Sequence, residues 1–318
     1  MKNIILRQAQ PDRDFSQLAV WFTSFEDEPS TETGLRDWYA ANSSRAEVKV
    51  AENETGDLLG FYWTTRSKTV ASLVNFDLFV ASEHRRQGVG TALEQEMMLA
   101  LKTDPVKVLR LNLREDCLEG LNFFMKHGFK ERSHRLLMAL DLDRFDDSAY
   151  DPMIARLEGE GFQFTSMEAL GNTEEAQRKL YALNESTGMD VLGSTGERTW
   201  TSFEDFQKRV CQAGWYKPGG QIVVIDRTTG DWASMSAITR MDGNEYANTL
   251  HTGTDRRYRG RKLAQAVKVI ALRYARKELK AMQVRTYHNA KNLPMLAIDR
   301  KFGYRQVGGN YMMEKRIN

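Results

Sequence analysis

One succession of predicted elements occurs twice in this sequence, and no other feature restricts the possible folds as strongly. The stretches HRRQGVGTAL (residues 84–93) and YRGRKLAQAV (residues 258–267) each follow a predicted strand and begin a predicted helix. A further strand and helix then lead to a Gly-aromatic pair, 43 residues after the first arginine in one copy and 44 in the other. Matching elements at matching spacing indicate a diverged internal duplication.

The chain is long enough for two domains, because its 318 residues compare with about 100–200 residues for an ordinary domain. The polar residues 143–148 (DRFDDS) follow an apolar strand and predict a boundary there, with an N-terminal domain of residues 1–144 and a C-terminal domain of residues 145–318. Predicted strands, among them residues 162–166, 221–226 and 246–254, interleave without strict alternation with predicted helices, among them residues 202–213 and 260–279. This predicts an α+β fold, in which each half is a mixed β-sheet flanked by helices.

Charge and cysteine content exclude several classes of protein. The 45 Lys and Arg residues against 43 Asp and Glu residues give a net charge of +2, which offers no general attraction to nucleic acid or an anionic membrane. Cys117 and Cys211 are too few for a disulfide framework or an all-cysteine zinc site, and no other cluster has metal-ligand spacing. Without a long apolar stretch or a secretory signal, we expect a cytoplasmic protein with no membrane or nucleic-acid partner and no metal.

The segment RRQGVG (residues 85–90) combines features that suit an anion. A strand is predicted to end there and a helix to begin, and the first amides of a helix lack acceptors and carry a partial positive charge. Glycine lets a ligand approach this backbone, and arginine adds full charge, so the turn could hold a pyrophosphate. The alternative is a glycine-rich connection with solvated arginines. The segment matches neither the dinucleotide fingerprint nor the nucleoside-triphosphate loop.

The pattern Arg85-x-x-Gly88-x-Gly90 after the strand FDLFV (residues 76–80) resembles the acyl-CoA signature of the GNAT superfamily of N-acyltransferases. The later segment FFMKHGF (residues 123–129) resembles the second motif of that family. Because the same order recurs in the second half, the whole chain resembles a tandem GNAT protein, similar in layout to mycothiol synthases.

The resemblance implies a splayed mixed sheet with the pantetheine arm of acetyl-CoA lying beside the fourth strand. It implies acetyl-CoA as cosubstrate and direct attack by the primary amine of a small molecule or peptide, without a covalent enzyme intermediate. The candidate cofactor-binding residues are Phe79, Val80, Arg85, Arg86, Gln87, Gly88, Val89, Gly90 and Thr91 in the first half, and Thr254, Arg259, Gly260, Arg261, Lys262, Ala264 and Asn292 in the second.

The family pattern is incomplete in both halves. Lys262 stands where the first half has Gly88, and its side chain would either crowd the pyrophosphate or add charge to it, so the intact motif favours the first half for cofactor binding. Asn292 occupies a position that contacts the pantetheine arm in the family, where the first half has Cys117. Asn292 also precedes Leu-Pro and is an equally good helix N-cap.

Acetyl transfer to an amine needs a base, because an alkyl amine with a pKa near ~10.4 is mostly protonated at neutral pH. Asp77 and its counterpart His251 are the candidates, although each could equally be an ordinary strand residue, and Glu245 is a weaker one. The resemblance implies a tyrosine proton donor at the positions of Phe124 and Asp299, and neither is tyrosine. A thiol with a pKa near ~8.5 leaves fairly well unaided. Neither cysteine lies in the setting of a nucleophile.

Two charged stretches allow more than one interpretation. Residues 255–285 contain eleven Lys or Arg and two acidic residues, and they form either a solvated helix face, a site in which Arg256, Arg257, Arg259 and Arg261 attract the phosphates of CoA, or a weak nucleic-acid surface. The segment EDEPSTE (residues 26–32) is either a solubilising loop or a device that attracts a cationic amine.

Two functions from different classes follow. The first is an acetyl-CoA-dependent N-acetyltransferase. The alternative is an acyl-CoA-binding sensor or scaffold in which both halves have lost catalysis.

Overall fold

The computed structural model describes residues 4–25, 29–68, 70–102, 106–188 and 200–317. The chain forms two compact units: unit 1 consists of residues 1–132 and 311–318, and unit 2 consists of residues 133–310. The boundary between residues 144 and 145 separates the two repeats of the sequence, and it stays a prediction. The compact units are divided differently, because unit 1 takes its last strand from the end of the chain.

The elements of the first half are β1 (Ile5–Gln8), α1 (Pro11–Phe25), α2 (Glu32–Asn42), β2 (Ala46–Glu52), β3 (Leu58–Arg66), β4 (Leu73–Val80), α3 (Val89–Ala100), β5 (Val108–Arg114), α4 (Leu118–Lys126) and β6 (Lys130–Asp141). Those of the second half are α5 (Asp151–Gly159), β7 (Phe162–Ser166), α6 (Glu174–Gly188), α7 (Phe203–Phe206), β8 (Gln221–Asp226), β9 (Trp232–Thr239), β10 (Tyr246–Thr254), α8 (Leu263–Lys277), β11 (Gln283–Asn289), α9 (Leu293–Phe302) and β12 (Arg305–Arg316).

Each unit contains a mixed sheet. In unit 1 the strand order is β1-β2-β3-β4-β5, followed by residues 311–316 of β12. In unit 2 the order is β6-β11-β10-β9-β8-β7. The pairs β4–β5 and β10–β11 are parallel, and the pairs β1–β2, β2–β3, β3–β4, β7–β8, β8–β9, β9–β10 and β6–β11 are antiparallel. The predicted α+β class, with mixed sheets flanked by helices, is confirmed.

The parallel pairs separate after a few residues. Pairing of β4 with β5 covers only Leu73–Asn75 and Val108–Arg110, although both strands continue beyond these residues. Pairing of β10 with β11 likewise covers Tyr246–Thr249 and Gln283–Thr286. Both sheets are therefore splayed, as the resemblance implied.

Helices cover both faces of each sheet. Neighbouring residues of a strand point to opposite faces, and in each unit the two sets pack against different helices. In unit 1, Phe76 packs in the same core as Leu93 of α3, whereas Trp63 packs with Phe15 of α1. In unit 2, Ile238 shares a core with residues of α8, whereas its neighbour Ala237 shares one with residues of α6. Each sheet thus has one face under its early helix and the other under the helix that follows the splayed strand.

Within the described part of the chain, no helix combines the length and the apolar composition that a membrane span requires.

Candidate functional site

The two basic turns have the same backbone conformation. Each begins with a short 3₁₀ turn after the splayed strand and ends at the first residue of α3 or α8. Two positions in each turn are left-handed: Arg86 (φ +60°) and Gly88 (φ +88°) in unit 1, and Gly260 (φ +82°) and Lys262 (φ +68°) in unit 2. Each turn therefore has glycine at one of its two left-handed positions.

A side chain at the second left-handed position causes no steric conflict within the protein. A Cβ atom added to Gly88 would have no described heavy atom within 4 Å. For Lys262 the cost is instead conformational, because the left-handed region is unfavourable for residues with a Cβ by about 1–2 kcal/mol. The conformation of the turn is thus retained despite the change from glycine to lysine.

Both turns present a row of backbone donors. The amides of residues 86–91 and 260–265 donate to no backbone carbonyl in the part of the chain that the structure describes. In each unit these six amides include the first turn of a helix, where the dipole adds partial positive charge. The arrangement can bind a diphosphate through main-chain groups alone.

Arg85 and Arg259 tie each turn to the strand before it. The Nε atom of Arg85 donates to the carbonyl of Val80 at 3.1 Å, and that of Arg259 donates to the carbonyl of Thr254 at 3.2 Å. Arg85 also binds Glu119 at 3.2 Å, and it is exposed. The two arginines therefore fix the position of the turn in addition to supplying charge.

The other predicted cofactor residues of the first turn surround its backbone. Arg86 and Gln87 are exposed, and the side-chain amide of Gln87 donates to the backbone carbonyl of Glu83 at 2.8 Å. Val89 is buried, and Thr91 is in the first turn of α3. A Cβ on Gly90 would lie 3.6 Å from Phe123 and Val80, which is ordinary contact, and accordingly Ala264 occupies this place in unit 2. Phe79 instead faces α1 and packs against Trp21 at 5.2 Å.

Arg261 is held over two aromatic rings. Its guanidinium carbon lies 5.7 Å from the ring centroid of Phe162 and 5.8 Å from that of Tyr258. Thr254, at the end of β10, shares a hydrogen bond of 2.8 Å with Ser234.

Asp77 lies on the α1 face of its sheet. Its cross-strand partner is Trp63, which belongs to the core under α1, and directly paired residues share a face. The register of β4 with β3 runs without interruption from Val74 to Val80. Asp77 is half-buried and engaged with other groups of the protein.

His251 reaches the corresponding face of unit 2 by way of a β-bulge. Thr249 lies opposite Ile238 and His251 lies opposite Ala237, so Leu250 is the extra residue. Without the bulge His251 would share the α8 face with Thr249, because alternate residues of a strand share a face. The bulge thus turns the imidazole toward α6.

The surroundings of His251 make it a weak base. Its Nε2 atom is 2.8 Å from the hydroxyl of Thr187, which donates to the carbonyl of Leu183 at 2.7 Å, so the imidazole is the donor in the first contact. Burial lowers the pKa of His251 to about 4. Close approach requires Gly253, since a Cβ there would lie 2.4 Å from Thr187. His251 is neutral at pH 7 and accepts a proton poorly.

Asn292 is the N-cap of α9, and its side chain accepts a hydrogen bond from the amide of Met295 at 3.4 Å. Cys117 caps α4 with nearly the same backbone angles but forms no such bond. The capping role predicted for Asn292 is therefore present. Glu245 is exposed and precedes β10, at the end of the strand far from the basic turn.

Both cysteines are free, and neither belongs to a basic turn: Cys117 precedes α4, and Cys211 ends the helical segment after α7. Burial raises the pKa of Cys211 to about 11, so its thiol is protonated at neutral pH and is a poor nucleophile. Among the residues that the structure describes, no group of three or more His, Cys, Asp or Glu side chains could hold a metal ion.

Part of the basic stretch 255–285 is paired with acidic residues. Arg257 lies 2.9 Å from Asp231 and 3.1 Å from Asp255, while Arg273 and Arg276 both bind Asp147. These contacts pair three of the eleven basic residues of the stretch with carboxylates. In the acidic segment, Glu26, Asp27 and Glu28 lie outside the described residues.

Unit 2 contains a buried polar cluster that the sequence motifs did not predict, which consists of Lys268, Asp299 and His288. Lys268 and Asp299 form a hydrogen-bonded ion pair, and the His288 Nε2 atom is 2.6 Å from the second oxygen of Asp299. Of the three, only Asp299 occupies a position that the family resemblance singles out. The available signal was a lysine in the apolar run AVKVIAL of a helix, which must have a partner when buried.

Comparison with known proteins agrees with this geometry. Residues 44–131 match the family model of the acetyltransferase (GNAT) domain. The chain contains a GNAT acetyltransferase domain. The match covers the first of the two splayed strands and the first basic turn, and it confirms the predicted resemblance and the class of enzyme.

Solved structures show that the GNAT fold extends over the whole chain. A GCN5-related N-acetyltransferase from Sphaerobacter thermophilus is similar with a TM-score of 0.72 and 17% identity, over 98% of this chain and 95% of that one. A tandem GNAT protein from the clavulanic acid biosynthesis pathway has a TM-score of 0.70 and 18% identity, over 99% of this chain and 98% of its own. No curated protein sequence matches the chain.

The left-handed conformation of Lys262 predicts that Lys262→Gly stabilises unit 2. Removal of the Cβ should raise the free energy of unfolding by about 1 kcal/mol. Gly88→Ala, at the corresponding position, should lower it by a similar amount. Urea unfolding measures both, and a Lys262→Gly protein that is less stable than the wild type would contradict the turn conformation.

Burial of His251 predicts a loss of stability in acid. Between pH 6.5 and pH 4 the unfolded histidine binds a proton that the folded one does not, because burial lowers its pKa to about 4. Stability should therefore fall as the pH decreases through this range, by about 1–2 kcal/mol at pH 5. Urea unfolding of the wild type and of His251→Gln at pH 7 and pH 5 measures the free energy of unfolding at each pH. An equal loss between pH 7 and pH 5 in the two proteins would refute the prediction.

Proposed function

We propose that this protein is an acetyl-CoA-dependent N-acetyltransferase that transfers the acetyl group directly to a primary amine. The observation that carries the proposal is the coincidence, in each unit, of a strand released from its parallel neighbour with a turn whose six amides have no backbone acceptor. A free strand edge can pair with the amides of an extended ligand, and the turn suits a pyrophosphate. The pantetheine arm of CoA contains amide groups, and the diphosphate of CoA follows at one end of that arm. This order matches a free strand edge that leads to the turn.

The residues at both turns fit such a ligand. In unit 1 the main chain of Phe79 and Val80 would face the pantetheine arm, and Gly88, Val89 and Gly90 would donate to the pyrophosphate. In unit 2 the same places are taken by Thr254, Lys262, Leu263 and Ala264, with Arg259 and Arg261 adding charge. When bound, acetyl-CoA supplies an activated thioester.

The acceptor would approach from the faces under α1 or α6. Asp77 and His251 lie on these faces and are the candidate groups for removing a proton from the amine. Because the pKa of His251 is about 4, a bound amine would transfer its proton there only with difficulty. The protonated thiol of Cys211 supports direct transfer in place of an acyl-cysteine intermediate.

Two free cysteines support a reducing compartment, and we place the protein in the cytoplasm on this ground. We expect no nucleic acid among its partners, since a net charge of +2 offers no general attraction to it.

Turnover tests the proposal directly. The full-length protein is incubated with acetyl-CoA and a panel of primary amines, namely spermidine, a lysine-containing peptide and an aminoglycoside. Release of free CoA thiol together with an acetylated amine in the mass spectrum is the expected result. Binding of CoA without turnover of any amine would favour the alternative, a CoA-binding sensor. In unit 1 the apolar Phe124 at the proton-donor position supports this alternative.

Charge placed at the turns should weaken CoA binding, and a neutral side chain of the same size provides the control. Gly88→Glu should raise the Kd for CoA at least tenfold over Gly88→Gln, because both strain the left-handed backbone but only one repels the pyrophosphate. Lys262→Glu and Lys262→Gln form the same comparison in unit 2. Calorimetry measures each Kd, and equal affinities within both pairs would mean that neither turn binds the pyrophosphate.

A further inference from the structure

The cluster of Lys268, Asp299 and His288, called here the buried triad, is built as a chain of three ionisable groups. The side chains of Lys268 and Asp299 are fully buried, whereas that of His288 is 11% exposed. The Lys268 ammonium also lies 4.8 Å from the ring centroid of Tyr304. A buried ion pair is costly to desolvate, and replacement by apolar residues is often neutral or stabilising. Stability alone therefore gives no reason for this arrangement.

The two carboxylate oxygens of Asp299 serve different partners. One binds Lys268, and the other lies 2.6 Å from Nε2 of His288. Burial alone would raise the pKa of Asp299, but attraction to Lys268 and the bond from His288 outweigh it and keep this pKa below its ordinary value. An ionised Asp299 accepts the Nε2 proton, so it fixes the orientation and the tautomer of the ring. The second nitrogen, Nδ1, has no hydrogen-bond partner among the described residues.

The exposed end of the triad lies where the parallel strands separate. His288 follows Thr286, the last residue of β11 that pairs with β10, by two positions, and it therefore shares the face of Thr286 under α8 and α9. His251 lies on the opposite face, under α6. Unit 2 thus has one histidine on each face of the sheet at the splayed strands.

Unit 1 has no such chain at the same positions. Leu113 and Phe124 precede Gly128 by the intervals at which His288 and Asp299 precede Gly303. The place of Lys268 in the helix is taken by Glu94, which binds Lys315 at 3.2 Å and lies 3.4 Å from His127. Among the described residues of β5 and β11, this face carries Leu109, Leu111 and Leu113 in unit 1, whereas it carries the ionisable His288 in unit 2.

We propose that unit 2 is the catalytic half, with His288 as the proton donor to the departing thiolate and with Asp299 and Lys268 as positioning residues. This inference rests on the proposed acetyl transfer. The amine nitrogen forms a bond to the acetyl carbon, the carbon–sulfur bond breaks with its electron pair on sulfur, and sulfur takes the proton from Nδ1 of the His288 imidazolium. The ring regains a proton from the acetylated nitrogen through solvent, so that the products are the amide and free CoA thiol.

Several ionisable or charged groups surround His288. Asp299 contacts it from α9, with Lys268 of α8 and Tyr304 behind that carboxylate. On β6, Leu136 lies opposite His288, and the neighbouring Arg135 stacks on the ring of Tyr287 at 4.8 Å. Asp299 is thus the charged group in direct contact with the imidazole.

Steady-state kinetics of the full-length protein with acetyl-CoA and the best amine of the panel tests the role of His288. We expect His288→Gln to lower kcat about 100-fold, the low end of the effect of a general acid, with little change in the KM for acetyl-CoA. We expect kcat of the wild type to decrease at alkaline pH and this decrease to be absent in the variant, and imidazole should restore activity to His288→Ala. His127→Gln, a histidine beside a glutamate in unit 1, is the matched control and should retain wild-type kcat.

Asp299→Asn alone would leave Lys268 buried without its counter-charge, so a folded protein is not assured. The double variant Asp299→Asn/Lys268→Met removes both charges at similar volume and keeps His288. It should shift the alkaline decrease of kcat to lower pH, because the carboxylate that stabilises the imidazolium is gone. An unshifted profile in this variant would overturn the positioning roles.

Different results would contradict the role of His288 and the acetyl transfer itself. A wild-type enzyme that acetylates amines and loses no activity in His288→Gln would overturn the inference and leave the proposed function intact. The NMR resonances of the His288 ring give a second readout, since titration with CoA should perturb them in the wild type. CoA binding without this perturbation would also overturn the inference, and a protein that neither binds CoA nor acetylates any amine would remove both.

Discussion

The separation of the parallel strands is the constraint on which the rest of this molecule depends. Backbone amides and carbonyls require partners, and β4 and β10 lose theirs on one side after Asn75 and Thr249. The fold therefore creates an edge that an added strand or an extended ligand can fill. The basic turn follows at the end of that edge, so topology places donors suited to amide groups and to a diphosphate next to each other before any side chain is specified.

The duplication retained this backbone and changed the polar groups around it. Both turns are left-handed at the same two positions, and both have an arginine bound to the end of the preceding strand. The strands themselves differ, because β10 contains a bulge at Leu250 and β4 is regular against β3. At one helical position the charge is even reversed, from Glu94 to Lys268. Backbone geometry is thus common to the two turns, whereas the ionisable groups near them differ.

Local patterns were sufficient to predict the repeat, the α+β class and several strands to the residue, including β7, β8 and β10. They were insufficient wherever distant segments decide the outcome. The bulge depends on the register with β9, and the triad depends on packing between residues 11 and 31 positions apart. The predicted helix over residues 260–279 begins instead at Leu263, because Lys262 is left-handed. The predicted helix over residues 202–213 changes to a π-helical turn at Gln207–Cys211.

Motif integrity no longer distinguishes the two halves once the turns are compared as backbones. The intact Gly88-x-Gly90 pattern favoured the first half on the assumption that a side chain at the first glycine closes the site. The position points into open space in unit 1, and unit 2 places its glycine two residues earlier, at the other left-handed position. Lys262 therefore adds a cation to a turn of unchanged shape. What separates the halves is the chemistry beside the splayed strands, where unit 1 has Phe124 and Leu113 and unit 2 has an aspartate and a histidine in contact.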